Sequence, residues 1–141
     1  MKRTGSAVWN GGLKDGKGKL STQSGTLKDT AYGFSSRFES GAGTNPEELI
    51  AAAHAGCFAM AFSAQLGGAN ITPASIEATA EVSLDKLDAG WTITASHLRV
   101  KAKAPGADRA AVEKAAEGAK ANCPVSRLLN AKVTMDLAVE T

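Results

Sequence analysis

The sequence predicts an α+β fold in a single domain over residues 1–141. Three observations lead to this prediction: short glycine-bounded segments at the start, a long apolar helical segment after them, and two later segments in which apolar and polar residues alternate. With 43% hydrophobic and 21% charged residues, the chain has the composition of a soluble globular protein that buries its own core.

Glycine and lysine punctuate the first forty residues, and the short segments between them are typical of strands. We predict strands near 4–10, 18–23 and 31–38, followed by a loop over 41–44.

A helix starts at Asn45-Pro46-Glu47-Glu48, where Asn45 is the expected N-cap and the two acids face the positive end of the helix dipole. The helix runs to about Leu66, before Gly67-Gly68, and it is apolar on nearly all sides. We therefore expect it to be buried on most faces, at the centre of the fold.

Alternation of apolar and polar residues from Ile76 to Leu84, a turn at Asp88-Ala89-Gly90 and renewed alternation from Trp91 to Ala102 predict a long antiparallel hairpin. The remaining predicted elements are a charged, alanine-rich helix over 108–121, a short helix over 125–129 after the break at Cys123-Pro124, and a final strand over 132–139.

The charges are interleaved and the formal net charge is only +2, so the sequence offers no basic patch for nucleic acid or a membrane surface. The run from Leu49 to Leu66 approaches membrane-spanning length, but His54, Ser63 and Gln65 favour a core helix. Because the first residues contain no apolar signal region, we expect a cytoplasmic protein, in which a transient catalytic disulfide is more plausible than a permanent one.

The chain has two cysteines, Cys57 within the apolar helix and Cys123 at a helix end. Passive packing is the usual role of a buried free cysteine. Alternatively the two form a redox pair, in which a peroxide oxidises Cys57 to a sulfenic acid that condenses with Cys123 to a disulfide, and an external dithiol then reduces the disulfide. Because apolar surroundings raise the pKa of a thiol, a reactive Cys57 needs a cation nearby.

Arg37 is the candidate cation, since an arginine stays charged when partly buried and this one precedes the helix in the predicted strand over 31–38. Glu47 can orient the guanidinium through a bidentate bond, although complementing the helix dipole explains this acid as well. Glu47 and Cys57 are about 15 Å apart along a straight helix. We therefore predict a homodimer in which a second subunit supplies the Arg37–Glu47 pair.

His54, one turn before Cys57, makes two other kinds of site possible, a nucleophilic pair and a metal site. A Cys-His nucleophilic pair would make the protein an acyl transferase or hydrolase, but the sequence shows no third orienting group. A metal site formed by His54, Cys57 and Cys123 would lack a fourth ligand.

Five stretches together resemble the OsmC/Ohr family of osmotically inducible and organic hydroperoxide resistance proteins. They are Tyr32-Gly33-Phe34 with Arg37-Phe38-Glu39, residues 43–50, residues 52–58, residues 82–86 with 88–90, and Cys123-Pro124-Val125-Ser126. The Ohr branch places its activating arginine in an early loop. Here that region, 11–16, contains no arginine and Arg37 follows later, so the sequence is similar to the OsmC branch.

The resemblance implies a thiol peroxidase that reduces organic hydroperoxides, and hydrogen peroxide less well, with Cys57 as the peroxidatic and Cys123 as the resolving residue. It also implies Arg37 and Glu47 as the activating pair, an intertwined homodimer with antiparallel sheets around the central helix, and no metal or prosthetic group. A non-catalytic stress protein, whose dimer groove binds a small apolar ligand and whose thiols are inert, is the alternative from a different functional class.

Overall fold

The computed structural model describes all 141 residues, whose contacts group into two compact units, Met1–Leu49 and Ile50–Thr141. The single domain over 1–141 stays a prediction. In chain order the elements are β1 Gly5–Asn10, β2 Lys17–Thr22, β3 Thr30–Gly33, α1 Phe34–Phe38, α2 Pro46–Gly68, β4 Ser75–Leu87, β5 Gly90–Lys103, α3 Arg109–Asn122, α4 Pro124–Leu128 and β6 Lys132–Glu140.

The first unit contains an antiparallel sheet in the order β1-β2-β3. Gly18 lies opposite both Trp9 and Tyr32, whose rings contact each other at a centroid distance of 5.5 Å. A Cβ on Gly18 would meet the Tyr32 ring, so a glycine is needed for this close packing. The first two predicted strands are confirmed.

The third predicted strand is wrong beyond Gly33, because residues 34–38 form helix α1 and Arg37 therefore lies on a helix. Ser36 explains the change. Its hydroxyl oxygen accepts from the Gly33 amide at 2.9 Å and donates to the carbonyl of Thr44 at 2.8 Å, and these bonds hold the chain in a turn. Phe34 and Phe38 then contact each other one turn apart, at 5.0 Å between ring centroids.

The second unit contains a sheet in the order β4-β5-β6. The predicted hairpin is confirmed, with Gly90, at φ +114°, next to the turn. Strand β6 runs parallel to β5, with Ala95 opposite Lys132. Helices α3 and α4 lie between the two strands in sequence and carry the chain back from the end of β5 toward its N-terminal half. The α+β class is confirmed, whereas the expectation that the sheets are wholly antiparallel is wrong at β6.

The hydrophobic core lies within the second unit. Phe58, Phe62 and Leu66 of α2 are fully buried in one cluster with inward-facing residues of β5 and with Val112 of α3. Full burial of each large side chain contributes about 1.5–3 kcal/mol. Asp108 caps α3 by accepting a hydrogen bond from the Ala111 amide at 3.0 Å.

Within one chain, helix α2 is buried along one face, and the burial of its other faces stays a prediction. The buried residues recur every four positions, at His54, Phe58, Phe62 and Leu66, while Met60 is 77% exposed. The helix is long and apolar enough to cross a bilayer by length and composition, a test that the core helix of a soluble protein also passes. Within one chain, 22% of its most apolar 18-residue stretch is buried.

Candidate active site

The structure brings the four predicted site residues together as two pairs, one in each unit. In the first unit, the Arg37 guanidinium donates from Nε to Oε2 of Glu47 at 3.1 Å and from Nη2 to Oε1 at 2.7 Å. This is the bidentate geometry in which arginine and a carboxylate bind most strongly. Glu47 is only 12% exposed, so solvent screens the pair less than it screens a surface ion pair.

The chain between α1 and α2 positions this ion pair. Asn45 acts as the predicted N-cap, since its Oδ1 accepts from the Glu48 amide at 2.9 Å, and its Nδ2 donates to the carbonyl of Ser36 at 3.1 Å. The same side chain thus fixes the start of α2 and the end of α1. Arg37 and Glu47 are each adjacent in sequence to a residue in this bridge, and so they meet.

Arg37 also borders an apolar cavity of about 290 Å³ in the first unit. Its guanidinium carbon lies 5.2 Å from the centroid of the Phe38 ring, a cation–π contact. The other walls are mainly aromatic and aliphatic: Trp9, Leu13, Tyr32, Phe34, Phe38 and Pro46. The cavity places an apolar surface next to a fixed positive charge.

In the second unit, the thiols of Cys57 and Cys123 are both reduced and interact with each other. Cys57 projects from α2 and is partly exposed, whereas Cys123 is fully buried in the break between α3 and α4. Pro124 begins α4, and the backbone of Cys123 is non-helical, as the sequence predicts.

The surroundings of Cys57 oppose its ionisation. Burial raises the pKa of the Cys57 thiol above its ordinary value of 9.0, and a hydrogen bond with the Cys123 thiol raises this pKa further. The backbone N–H of Val125 donates to the Cys57 sulfur and lowers the pKa in part. Each of these influences comes from the second unit, and the net direction is upward.

His54 is fully buried and uses both ring nitrogens in hydrogen bonds to serines. Its Nδ1 pairs with Oγ of Ser96 at 2.7 Å, and its Nε2 pairs with Oγ of Ser126 at 2.8 Å. Burial lowers the pKa of His54 from its ordinary 6.5, which favours the neutral ring. Because neither nitrogen is left for Cys57, this geometry does not support a Cys-His nucleophilic pair.

Sequence reasoning missed Ser96, Ser126 and the amide of Val125. One signal was available, since Ser96 faces inward in the same row as Leu98, Val100 and Ala102. A polar residue in an apolar row needs a buried partner. For metal binding, the structure contains no cluster of three or more His, Cys, Asp or Glu side chains that could hold an ion.

Comparison with known proteins places this geometry in a family. The family model of the OsmC-like proteins matches residues 39–138. The chain belongs to the OsmC-like family. Peroxiredoxin OsmC of Escherichia coli K12 is 50% identical over 141 residues, which covers 100% of this chain and 99% of that protein, and the same protein name in Shigella flexneri gives the same figures.

Solved structures agree with the family assignment. A protein of Legionella pneumophila, described as an organic hydroperoxide resistance protein OsmC, is 28% identical, with a TM-score of 0.69 over 98% of this chain and 97% of that chain. An OsmC-like protein of Mycoplasma pneumoniae is 13% identical and has a TM-score of 0.78 over 100% of this chain and 99% of that chain, which shows a shared fold.

Proposed function

We propose that this protein is a thiol-dependent peroxidase that reduces organic hydroperoxides, and hydrogen peroxide less well, through Cys57 and Cys123. The single observation that carries the proposal is the interaction of a partly exposed thiol with a buried one in the reduced protein. The 50% identity to Peroxiredoxin OsmC over the full length supports it.

In the first step, the Cys57 thiolate attacks the terminal oxygen of the hydroperoxide, so that an S–O bond forms as the O–O bond breaks. The departing alkoxide takes up the proton that the Cys57 thiol released and leaves as an alcohol. Cys57 is then a sulfenic acid. In the second step, the Cys123 sulfur attacks the Cys57 sulfur, the S–O bond breaks, and water leaves as the disulfide forms. An external dithiol reduces the disulfide, so the cycle requires no metal or prosthetic group.

The first step needs a thiolate, whereas burial favours the thiol of Cys57. We propose that Arg37 supplies the missing positive charge and that Glu47 orients it. Bidentate pairing uses two of the five guanidinium N–H donors, and the others can face the sulfur and the oxygen on which negative charge develops.

We further propose a homodimer in which the Arg37–Glu47 pair of one subunit acts on Cys57 of the other. The exposed face of α2 supports this, because it presents small and apolar residues to solvent within one chain. The exposed small and apolar members in the middle of the helix are Ala52, Ala53, Gly56, Met60, Ser63 and Ala64. Small residues allow two helices to approach closely, and water would be excluded from a site formed there.

The apolar cavity beside Arg37 supports organic hydroperoxides as preferred substrates. Its walls of Trp9, Phe34 and Phe38 gain little from hydrogen peroxide, which has no apolar part. An alkyl or aryl group can bury apolar area there, and each CH₂ buried contributes about 0.8 kcal/mol. We also place the protein in the cytoplasm, where a dithiol reductant is available.

Replacement of each cysteine tests the proposed function. Cys57→Ser should lower the turnover of an organic hydroperoxide on the order of a thousandfold or more, because the nucleophile is lost. Cys123→Ser should consume about one equivalent and then accumulate Cys57 sulfenic acid, since no resolving thiol remains. Peroxide consumption and trapping of the sulfenic acid with a 1,3-diketone give the two readouts.

Thr79→Ala is the matched control, because Thr79 is an exposed hydroxyl on strand β4, in the same unit as Cys57 but outside helix α2. It should turn over at the wild-type rate. Wild-type turnover by Cys57→Ser would contradict the peroxidase assignment and favour an inert-thiol protein.

A further inference from the structure

We propose that His54 is a positioning residue for disulfide formation, the second step of the proposed reaction. Through its hydrogen bond to Ser126, His54 holds Cys123 and the start of α4 in place, so that the Cys123 sulfur can reach the Cys57 sulfenic acid. This inference rests on the proposed function. It concerns a buried histidine that the proposed chemistry does not otherwise use.

Two contacts, one helical turn apart, connect α2 with the Cys123 segment. His54 and Cys57 are three residues apart on α2, and Cys123 and Ser126 are three residues apart at the start of α4. Cys57 interacts with Cys123, and His54 hydrogen-bonds Ser126. Residues with this spacing lie on one side of a helix, so the two contacts run side by side between the same elements.

Helix α4 needs such an anchor because it has only five residues. Helices of this length are unstable in isolation, and tertiary contacts must hold them. Val125 packs against the core, and its backbone N–H reaches the Cys57 sulfur, but both contacts involve one residue. The Ser126 hydroxyl forms the side-chain hydrogen bond that joins α4 to α2.

Ser96 fixes the histidine ring from its other side. The Ser96 hydroxyl pairs with Nδ1 at 2.7 Å and belongs to the central strand β5, where it is fully buried. A neutral imidazole has one donor and one acceptor nitrogen, and two hydroxyls can satisfy both in either tautomer. The ring is therefore held between a rigid strand and the short helix whose position matters for resolution.

Disulfide formation is sensitive to this placement. The Cys123 thiol must attack along the S–O bond of the sulfenic acid, so that an S–S bond forms while hydroxide leaves with the thiol proton as water. A displacement of about 1 Å costs up to about a hundredfold in the rate of a well-oriented intramolecular reaction. Loss of the Ser126 anchor should thus slow resolution and leave the attack of Cys57 on peroxide unchanged.

Ser126→Ala tests the inference without peroxide. An aromatic disulfide reagent added to reduced protein reacts first with the partly exposed Cys57 and releases one aromatic thiol, and attack by Cys123 then releases a second. We expect the first phase to be unchanged and the second to slow about tenfold. Ser126→Thr, which keeps the hydroxyl, should restore the second phase, and Thr79→Ala, at an exposed hydroxyl on strand β4, should leave both phases unchanged.

A single turnover with an organic hydroperoxide provides the second readout. The Cys57 sulfenic acid should live about tenfold longer in Ser126→Ala than in the wild type. Equal rates of disulfide formation in Ser126→Ala and wild type would overturn the role of His54. A lower melting temperature together with equal slowing of both phases of the aromatic-disulfide reaction would also overturn it, because the loss would then be general and not confined to Cys123. The aromatic-disulfide reaction contains no peroxide, so it tests the role of His54 independently of the peroxidase proposal. If the wild type formed no sulfenic acid, the proposed function would be contradicted and the role of His54 would still be decided by this reaction.

Discussion

The two units of the chain treat the ionisable side chains of the candidate site in opposite ways. In residues 1–49, Arg37 and Glu47 form a bidentate ion pair, so charge is stabilised by opposite charge. In residues 50–141, burial raises the pKa of Cys57 and lowers that of His54, so both groups are kept neutral.

This difference separates two requirements of thiol peroxidase chemistry. The second unit brings two thiols together but disfavours the Cys57 thiolate, and the first unit holds a cation but no thiol. If Arg37 activates Cys57 as proposed, substitutions in different parts of the chain should change the positioning and the activation of the nucleophile independently.

The largest expected effect follows removal of the cation. Arg37→Ala should raise the midpoint of the pH profile for alkylation of Cys57 by about one to three pH units, because an opposite charge nearby lowers a pKa by that amount. At pH 7 the alkylation rate should fall about threefold to fiftyfold, which is less than the loss of thiolate because a more basic thiolate is more nucleophilic. Iodoacetamide labelling across pH measures both.

Arg99→Ala is the control for charge, since Arg99 is exposed and pairs with Glu81 at 3.1 Å in the second unit. It should leave the alkylation profile unchanged. Glu47→Gln, which keeps the Arg37 charge but weakens its orientation, should give an intermediate profile. An identical profile in Arg37→Ala and wild type would show that the two units do not cooperate in activation.

An intermediate effect is expected from mixed dimers of two inactive variants. If Arg37 acts on Cys57 of the other subunit, Cys57→Ser and Arg37→Ala chains refolded together should regain about a quarter of wild-type turnover, because half of the dimers are mixed and each contains one complete site. Peroxide consumption by the mixture, compared with each variant alone, measures the recovery.

A mixture of Cys57→Ser and Cys123→Ser is the control, because those two thiols pair within one chain. It should recover nothing. No recovery in the Cys57→Ser and Arg37→Ala mixture would place each Arg37 with the sulfur of its own chain.

The sequence predicted elements whose signals are local. Asn45-Pro46 marked the start of α2, and alternation from Ile76 marked the hairpin. The turn of residues 34–38 into α1 depends on a bond from Ser36 to the carbonyl of Thr44, and no local pattern encodes it. The parallel direction of β6 was equally hidden, since alternation gives the buried face of a strand but not its direction.

For the candidate site, as for the fold, the sequence predicted the residues with local signals but not the contacts between distant residues. Cysteine count and a family resemblance indicated Cys57, Cys123, Arg37 and Glu47, and the structure forms two pairs from them. The bonds of His54 join residues 42 and 72 positions away, so no spacing rule could find them. The single buried face of α2 was also hidden, because alanine and glycine on all sides leave little contrast between faces.

The smallest expected effect is the acid sensitivity that His54 gives the second unit. Because the pKa of His54 is lower in the folded than in the unfolded chain, the unfolded state binds more protons as pH falls below about 6.5. The contribution of His54 to the free energy of unfolding should therefore be constant above that pH. Below it, this contribution should decline by at most about 1.4 kcal/mol per pH unit, the value for one proton. Urea unfolding at several pH values measures the decline.

Replacement of each histidine isolates the contribution of burial. His54→Asn should remove this part of the decline and lower the stability at pH 7, because the amide cannot bridge both serines. His97→Asn is the matched control: His97 is partly exposed, bonds Thr134 at 2.7 Å and Asp136 at 3.1 Å, and should leave the decline in place. A pH dependence that survived in His54→Asn and disappeared in His97→Asn would assign it to the exposed face of the sheet. The view that the second unit keeps the ionisable groups of the candidate site neutral would then rest on Cys57 alone.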